Sequence, residues 1–277
     1  MWGANRPSYQ PIPTFQQCIS NVQDPQLRAR LVAVTHDVGA AAQAFEAAAS
    51  RGQLHMVPKT TDVGAVSASE MKDVYTSRMV PEPSRGRPIY DHIFELSGGR
   101  CPMCMHRDVR SLDHFLPKAR YTILSVTPLN LIPCCSDCNK NKKSDAPAAA
   151  EEMTMHPYFD AFDHEPWLSA EVMQTQPAHF RFYVDAPGSW DATTTKRAEM
   201  HFDTFKLSDL YASEAANELL GIRWSLELVH GRTGEPGVTE YLVELALSRY
   251  LHRLNCWQTA MYRAMSKSPW FCSGGFR

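Results

Sequence analysis

The spacing of hydrophobic and polar positions divides the first hundred residues into a polar arm and three helices. Residues 1–22 are rich in Pro, Gln and Ser, which predicts an extended arm. Asp24 followed by Pro25 is a typical helix start, because Asp caps free N–H groups and Pro fits the first helical position. Ser67 and Glu70 form a capping-box pattern that starts a second helix. The predicted helices run over 25–51, 67–80 and 89–98.

The pattern beyond residue 150 predicts one strand and two long helices. Hydrophobic residues alternate over 179–184, with Phe180, Phe182 and Val184 on one face, which is typical of a half-buried strand. Helical periodicity then covers 194–229 and 238–265, separated by several Gly residues and Pro236. The sequence therefore predicts an α+β fold that is mostly helical.

Composition and charge exclude several classes of protein. The chain has 277 residues, 44% of them hydrophobic, with 28 Lys and Arg against 30 Asp and Glu, for a net charge of −2. These proportions are typical of a globular protein and exclude a wholly basic, histone-like one. A bilayer-spanning helix needs about 18 consecutive apolar residues, and the sequence has no such run. The absence of a signal peptide predicts a cytoplasmic protein without a membrane segment.

Cysteine spacing predicts a zinc site. Five of the eight cysteines lie between residues 101 and 138, and four of them form two CxxC pairs, Cys101 with Cys104 and Cys135 with Cys138. Four thiolates at this spacing match a closed tetrahedral zinc site, which is structural because no coordination position stays open. Cys134 is interpreted as a neighbour of the site, and His106 is an alternative ligand at a less suitable spacing.

Positive charge is concentrated around these cysteines. Residues 100–143 carry eight basic side chains against three acidic ones, which gives +5 and leaves −7 for the rest of the chain. Such a patch predicts a nucleic-acid partner bound through its phosphates. The basic residues are Arg100, Arg107, Arg110, Lys118, Arg120, Lys140, Lys142 and Lys143.

The segment between and after the CxxC pairs carries further motifs in a fixed order. Leu112-Asp113-His114 is followed by Pro117-Lys118, then Asn130-Leu131-Ile132-Pro133, and Asn139 directly follows the last cysteine. In this order the motifs resemble those of the zinc-bearing HNH endonucleases, a branch of the His-Me finger nucleases. The resemblance covers residues 100–143. It implies a ββα-metal module, a β-hairpin followed by a helix, whose ends are tied together by a zinc ion on four cysteines.

Phosphodiester hydrolysis gives each motif residue an expected role. A neutral imidazole can take a proton from water, so His114 is the candidate general base. Asp113 offers the hard oxygen ligand that suits Mg²⁺ or Mn²⁺. The resemblance implies that Asn139, where many members carry His, is a second ligand of this catalytic metal, and that Asn130 orients His114 by a hydrogen bond. Lys142 and, more weakly, Lys118 are candidate phosphate contacts.

The resemblance also implies an organisation and a function. Three regions are expected: an N-terminal arm and helical region over 1–95, the HNH module over 96–145, and a mainly helical region over 146–277 for docking substrate or partner. The expected function is metal-dependent hydrolysis of DNA, regulated by a ligand or a partner subunit such as an ATPase. Bacterial anti-phage defence of the Septu kind is one analogous setting.

Two other functions stay open on the sequence alone. One is a zinc-stabilised nucleic-acid-binding or scaffold protein whose nuclease module is inactive. The other is an RNA-directed nuclease, since no residue pattern separates DNA from RNA. An oligomer is also left open, because the two C-terminal helices suit either a dimer interface or packing on the module.

Overall fold

The chain folds mainly into helices. Its structure is a computed structural model that describes residues 3–142 and 146–277. Helices make up about 54% of the chain, and the described residues contain two antiparallel two-stranded sheets. The α+β, mostly helical prediction is confirmed. The chain forms two compact units, one up to Ala161 and one from Phe162 to Arg277. Lys143 and the predicted boundary at residue 145 lie outside the described residues, and the division into three regions stays a prediction.

The first unit begins with five helices and corrects two predictions. The extended arm expected over 1–22 is wrong over residues 11–19, which form a helix that buries Phe15, Cys18 and Ile19. The single helix expected over 25–51 is interrupted at Val34, whose ψ of 3° is not helical. The helices are α1 (Pro11–Ile19), α2 (Pro25–Ala33), α3 (Thr35–Ala49), α4 (Ala68–Thr76) and α5 (Arg87–Glu95).

Both predicted helix starts are confirmed by their capping bonds. The carboxylate of Asp24 accepts from the N–H groups of the second and third residues of α2. Ser67 and Glu70 form a complete capping box at the start of α4. Glu70 also pairs with Arg30 at 2.6 Å, and this ion pair joins α2 to α4.

A short hairpin and a helix follow the first cysteine pair. Strand β1 (Ser111–His114) pairs antiparallel with β2 (Leu131–Cys134), with Asp113 opposite Ile132, and α6 (Ser136–Lys142) comes directly after. The hydrophobic core of the first unit includes Leu112 and Leu131 together with side chains of α1 to α5. The hairpin is therefore built on the N-terminal helices, and they fix its position.

The second unit holds a longer hairpin and three α-helices, followed by a π-helical turn at Phe271–Gly275. Strand β4 (His179–Val184) is confirmed, and it pairs with β3 (Leu168–Met173), which the sequence pattern did not predict. The helices α7 (Ala192–Thr204), α8 (Leu207–His252) and α9 (Trp257–Ser266) follow. The helix expected over 194–229 is interrupted at Lys206, which has a left-handed φ of 51°, and α8 is broken at Gly234, in the predicted gap. None of the described helices is both long enough and apolar enough to cross a membrane.

Candidate functional site

Four buried cysteines of the first unit converge as their spacing predicted. Cys101 and Cys104 lie in the turn after α5, and Cys135 and Cys138 lie at the start of α6. All four sulfurs lie within 4.8 Å of one another, with Cys104 Sγ and Cys135 Sγ 3.9 Å apart. Zinc–sulfur bonds of about 2.3 Å in a tetrahedron place the sulfurs about 3.8 Å apart. The four thiols therefore fit a structural zinc site.

Backbone N–H groups turn toward the sulfurs of this cluster. The N–H of Arg107 lies 3.5 Å from Cys104 Sγ, and the N–H of Cys138 lies 3.4 Å from Cys135 Sγ. Hydrogen bonds to sulfur favour the thiolate that zinc binds. Hydrogen bonds among the thiols, that with Cys104 first, lower the pKa of Cys101, whereas those with Cys101 and the other thiols raise the pKa of Cys138.

Cys134 and His106 lie outside the four-thiol cluster. Cys134 is buried beside it, and its hydrogen bond with Cys101 raises its pKa, which keeps it a protonated thiol. As a protonated thiol beside the cluster, Cys134 can donate a hydrogen bond to the Cys101 sulfur without binding zinc itself. The position of Cys134 agrees with its interpretation as a neighbour of the site.

His114 lies at the end of β1 with its ring almost fully enclosed. The residue is 4% exposed, and its Nε2 lies 2.8 Å from the carbonyl oxygen of Ser125. Because a carbonyl only accepts, Nε2 carries the proton, and the lone pair of the neutral ring is on Nδ1. Burial lowers the pKa of His114 to about 4. The imidazole is therefore neutral at pH 7, and Nδ1 has no hydrogen-bond partner among the described residues.

Tyr75 on α4 supports His114, although no sequence motif pointed to it. The two rings meet edge to face, with centroids 4.4 Å apart. The hydroxyl of Tyr75 donates to the carbonyl of Leu112 on β1 at 2.9 Å. Lys118 Nζ lies 4.5 Å from the centre of the same tyrosine ring, and burial lowers the pKa of Lys118. The one signal in the sequence was the place of Tyr75 on the apolar face of a predicted helix.

Asn130 does not bond to His114, and this expectation is wrong. Its side chain accepts from the N–H of Leu116 at 2.7 Å and donates to the carbonyls of Leu116 and Leu124 at 3.1 and 3.3 Å. These three bonds use both amide protons and the amide oxygen. Asn130 thereby joins the chain just after His114 to the residue preceding Ser125, so it supports the histidine through its neighbours.

Asp113 lies on the opposite face of β1 from His114 and already has a cationic partner. Side chains alternate along a strand, so Asp113 shares its face with Ser111. Lys142 Nζ donates to Asp113 Oδ2 at 2.9 Å and to the carbonyl of His114. Asn139, one turn earlier on α6, donates instead to Ser111 Oγ at 3.3 Å. The structure thus brings Lys142 to Asp113 and places Asn139 beside the same strand face.

Neither candidate phosphate-binding lysine is freely exposed. The side chain of Lys142 is 11% exposed in its ion pair with Asp113. Lys118 is half-buried over the Tyr75 ring. Their expected contacts with phosphate stay predictions.

Comparison with known proteins finds a relative in a bacteriophage. The chain is 28% identical over 253 residues to protein ea31 of Escherichia phage lambda, a match that covers 84% of this chain and 86% of the phage protein. A match of this extent includes parts of both units. No protein-family model matches the chain. No solved structure matches it.

Proposed function

We propose that this chain is a metal-dependent endonuclease of the HNH type that hydrolyses phosphodiester bonds in DNA. The observation that carries the proposal is the state of His114: neutral, oriented by Ser125, and with Nδ1 unpaired among the described residues. This is the form in which an imidazole accepts a proton from an attacking water. The hairpin, the helix and the four-thiol cluster around it agree with the module that the motif order implies.

The low pKa of His114 has two opposite effects on its ability to act as a general base. A pKa of about 4 keeps the ring in its proton-accepting form throughout the neutral range. It also makes the ring a weaker base than an exposed histidine, because basicity falls with the pKa. We therefore expect the reaction to depend on a second group that makes the water more acidic.

Asp113 and Asn139 would hold the divalent cation that supplies this effect. A carboxylate and an amide are hard oxygen donors of the kind that Mg²⁺ and Mn²⁺ prefer. In the structure the ammonium group of Lys142 lies on the Asp113 carboxylate, so this ligand is occupied by a cationic side chain. When bound, the cation would stabilise the charge that develops on the phosphate and on the leaving oxygen. To bind this cation, the carboxylate of Asp113 would have to release the ammonium group of Lys142.

Cleavage of supercoiled plasmid tests the proposal directly. Purified protein of known zinc content is incubated with Mg²⁺ or Mn²⁺ beside the His114→Ala variant with the same zinc content. We expect metal-dependent nicking or linearisation by the parent protein and a loss of at least about 100-fold in the variant, the usual range for removing a general base. Equal cutting by both proteins would exclude His114 as the base.

A zinc-stabilised nucleic-acid-binding protein without activity is the second candidate. The ion pair between Lys142 and Asp113 favours it, since it leaves the proposed metal ligand neutralised. Tight DNA binding without any cutting in Mg²⁺, Mn²⁺ or Ni²⁺ would support this candidate over the nuclease.

Regulation by a partner subunit, such as an ATPase, belongs to the proposal as well. An unregulated nuclease would damage the DNA of the cell that makes it, and this danger is the reason to expect control. The similarity to a phage protein does not by itself point to anti-phage defence, and that setting stays a prediction.

A further inference from the structure

A second basic feature of the first unit lies beside the zinc-binding turns, away from His114. It is a surface cavity of about 360 Å³ between the turn after α5 and the start of α6. Three guanidinium groups face two carboxylates around it, so its charged side chains sum to +1. The cavity is lined by Arg100, His106, Arg107, Asp108, Arg110, Cys135, Ser136 and Asp137.

The ion pairs of this cavity are exposed and therefore exchangeable. Arg100 lies 2.8 Å from Asp108, and Arg107 lies 2.9 Å from Asp137. The four side chains are between 37% and 57% exposed. Exposed pairs of this kind contribute little to stability, because water and salt screen them. An incoming phosphate can therefore replace the carboxylates at little cost.

Arg110 is the side chain best placed to receive such a phosphate. Its guanidinium makes no hydrogen bond with any described residue, and its nearest carboxylate oxygen, on Asp108, is 3.7 Å away. The side chain is 69% exposed. A planar guanidinium with unused N–H groups binds two phosphate oxygens at once.

The distance from this cavity to Asp113 follows from the lengths of α6 and of the chain leading into β1. Along α6, Ser136 at the cavity and Lys142 at Asp113 are six residues apart, which is about 9 Å at 1.5 Å per residue. Along β1, Arg110 precedes Asp113 by three residues, which is about 10 Å at 3.3 Å per residue. Both distances are short enough for one nucleic-acid backbone to pass the cavity and Asp113 within a few nucleotides.

From this arrangement we infer that the Arg110 cavity binds a backbone phosphate of the nucleic acid, within a few nucleotides of the bond that is cut. The position of the cut rests on the proposed function, whereas the phosphate site itself does not. Contacts to phosphate carry no base information, so the site adds affinity and register without sequence choice.

Binding of a short fluorescent DNA duplex, measured by anisotropy over a range of salt, tests the inference without any cleavage. Zinc-loaded parent protein is compared with Arg110→Gln and with Arg28→Gln, a matched control that removes one exposed positive charge from α2. We expect Arg110→Gln to weaken binding about tenfold and to reduce the slope of log Kd against log salt by about 1. Arg28→Gln should bind like the parent protein.

The outcomes separate this site from the proposed nuclease. Unchanged binding in a double Arg100→Gln, Arg110→Gln variant, or an equal loss in Arg28→Gln, would overturn the phosphate site. If the parent protein cuts plasmid but Arg110→Gln binds DNA as tightly as the parent, the proposed nuclease activity stands and the phosphate site is excluded. If binding depends on Arg110 but no protein cuts plasmid, the phosphate site stands and the nuclease activity loses its support. An RNA duplex in the same assay shows which nucleic acid supplies the phosphate, and an Arg110-dependent loss on either one supports the site.

Discussion

At the scale of single residues, the burial of His114 has a consequence for stability as well as for chemistry. The folded chain holds the pKa of His114 at about 4, against about 6.5 for an unfolded histidine. Between these values the unfolded chain binds a proton that the folded chain does not, so folding weakens as the pH falls through this window. The contribution is fully present above pH 6.5 and is lost toward pH 4.

We therefore expect acidification from pH 7 to pH 5 to destabilise the parent protein by about 2 kcal/mol more than His114→Gln, as the linkage between pKa and stability requires. Urea unfolding of both proteins at the two pH values measures the difference. His36→Gln, a substitution at an exposed position of α3, should keep the full pH dependence of the parent. The same pH dependence in His114→Gln would mean that the ring is not held neutral by burial.

The residues of the site were predictable from the sequence to a greater extent than the side chains and backbone groups that they contact. The four zinc-ligand candidates were predictable because a CxxC turn fixes two thiols by local geometry alone. The partner of His114 was not, since it depends on the path of residues 115–130, which brings Ser125 back to the ring. For the same reason Asn130 bonds to Leu116 and Leu124 instead of the histidine. Which residue of α6 reaches Asp113 depends on how that helix lies along β1.

At the scale of elements, two tyrosines join the N-terminal helices to β1. Leu112 donates its N–H to the hydroxyl of Tyr90 on α5 at 3.2 Å and accepts at its carbonyl from Tyr75 on α4 at 2.9 Å. Leu112 stands opposite Pro133 in a non-hydrogen-bonded pair, since Phe115 bonds to Asn130 in the same register and bonded pairs alternate along an antiparallel ladder. The backbone N–H and C=O of Leu112 therefore point away from β2. The tyrosines therefore satisfy backbone groups that the partner strand leaves unpaired.

Tyr75→Phe should consequently destabilise the first unit by about 1–3 kcal/mol, the cost of leaving a buried carbonyl unpaired. The free energy of unfolding in urea measures this loss. Tyr183→Phe, which removes a hydroxyl from an exposed position on β4, is the matched control and should stay within about 0.5 kcal/mol of the parent. Equal effects of the two substitutions would contradict a supporting role for the Tyr75 hydroxyl.

Elements with local start signals were predictable, and elements defined by distant contacts were not. Capping residues located the starts of α2 and α4, since their hydrogen bonds lie within a few residues. Strand β3 has a weak alternation of its own and is defined by its pairing with β4. Helix α1 was missed because its prolines suggested an arm, although Pro11 stands at the first helical position, where proline is tolerated.

At the scale of the whole molecule, the two units should respond differently to loss of zinc. All four thiols of the cluster lie in the first unit, whereas the second is a compact unit of its own in which Trp167, Phe182, Tyr211 and Phe271 are buried. Binding of zinc to a folded site contributes about 10 kcal/mol or more in small zinc domains. Chelation should therefore open the first unit and leave the second folded.

The distribution of tryptophan makes this difference measurable. Five of the six tryptophans lie beyond residue 161, so their emission reports on the second unit. On chelation we expect amide hydrogen exchange to rise throughout residues 3–142 while the tryptophan emission keeps its wavelength. A red shift of the tryptophan emission that accompanies the rise in hydrogen exchange would contradict independent unfolding of the two units.

Substitution of single cysteines separates loss of zinc from any other effect of a chelator. Cys104→Ala removes a ligand, so it should abolish stoichiometric zinc binding and reproduce the exchange pattern of the chelated protein. Cys134→Ala is the matched control: it removes a buried thiol from the same segment that lies outside the four-thiol cluster, and it should keep one zinc per chain. Loss of zinc in both variants would place Cys134 among the ligands. Retention in both would contradict the closed four-thiolate site, because the three remaining thiolates would then be sufficient to hold the ion.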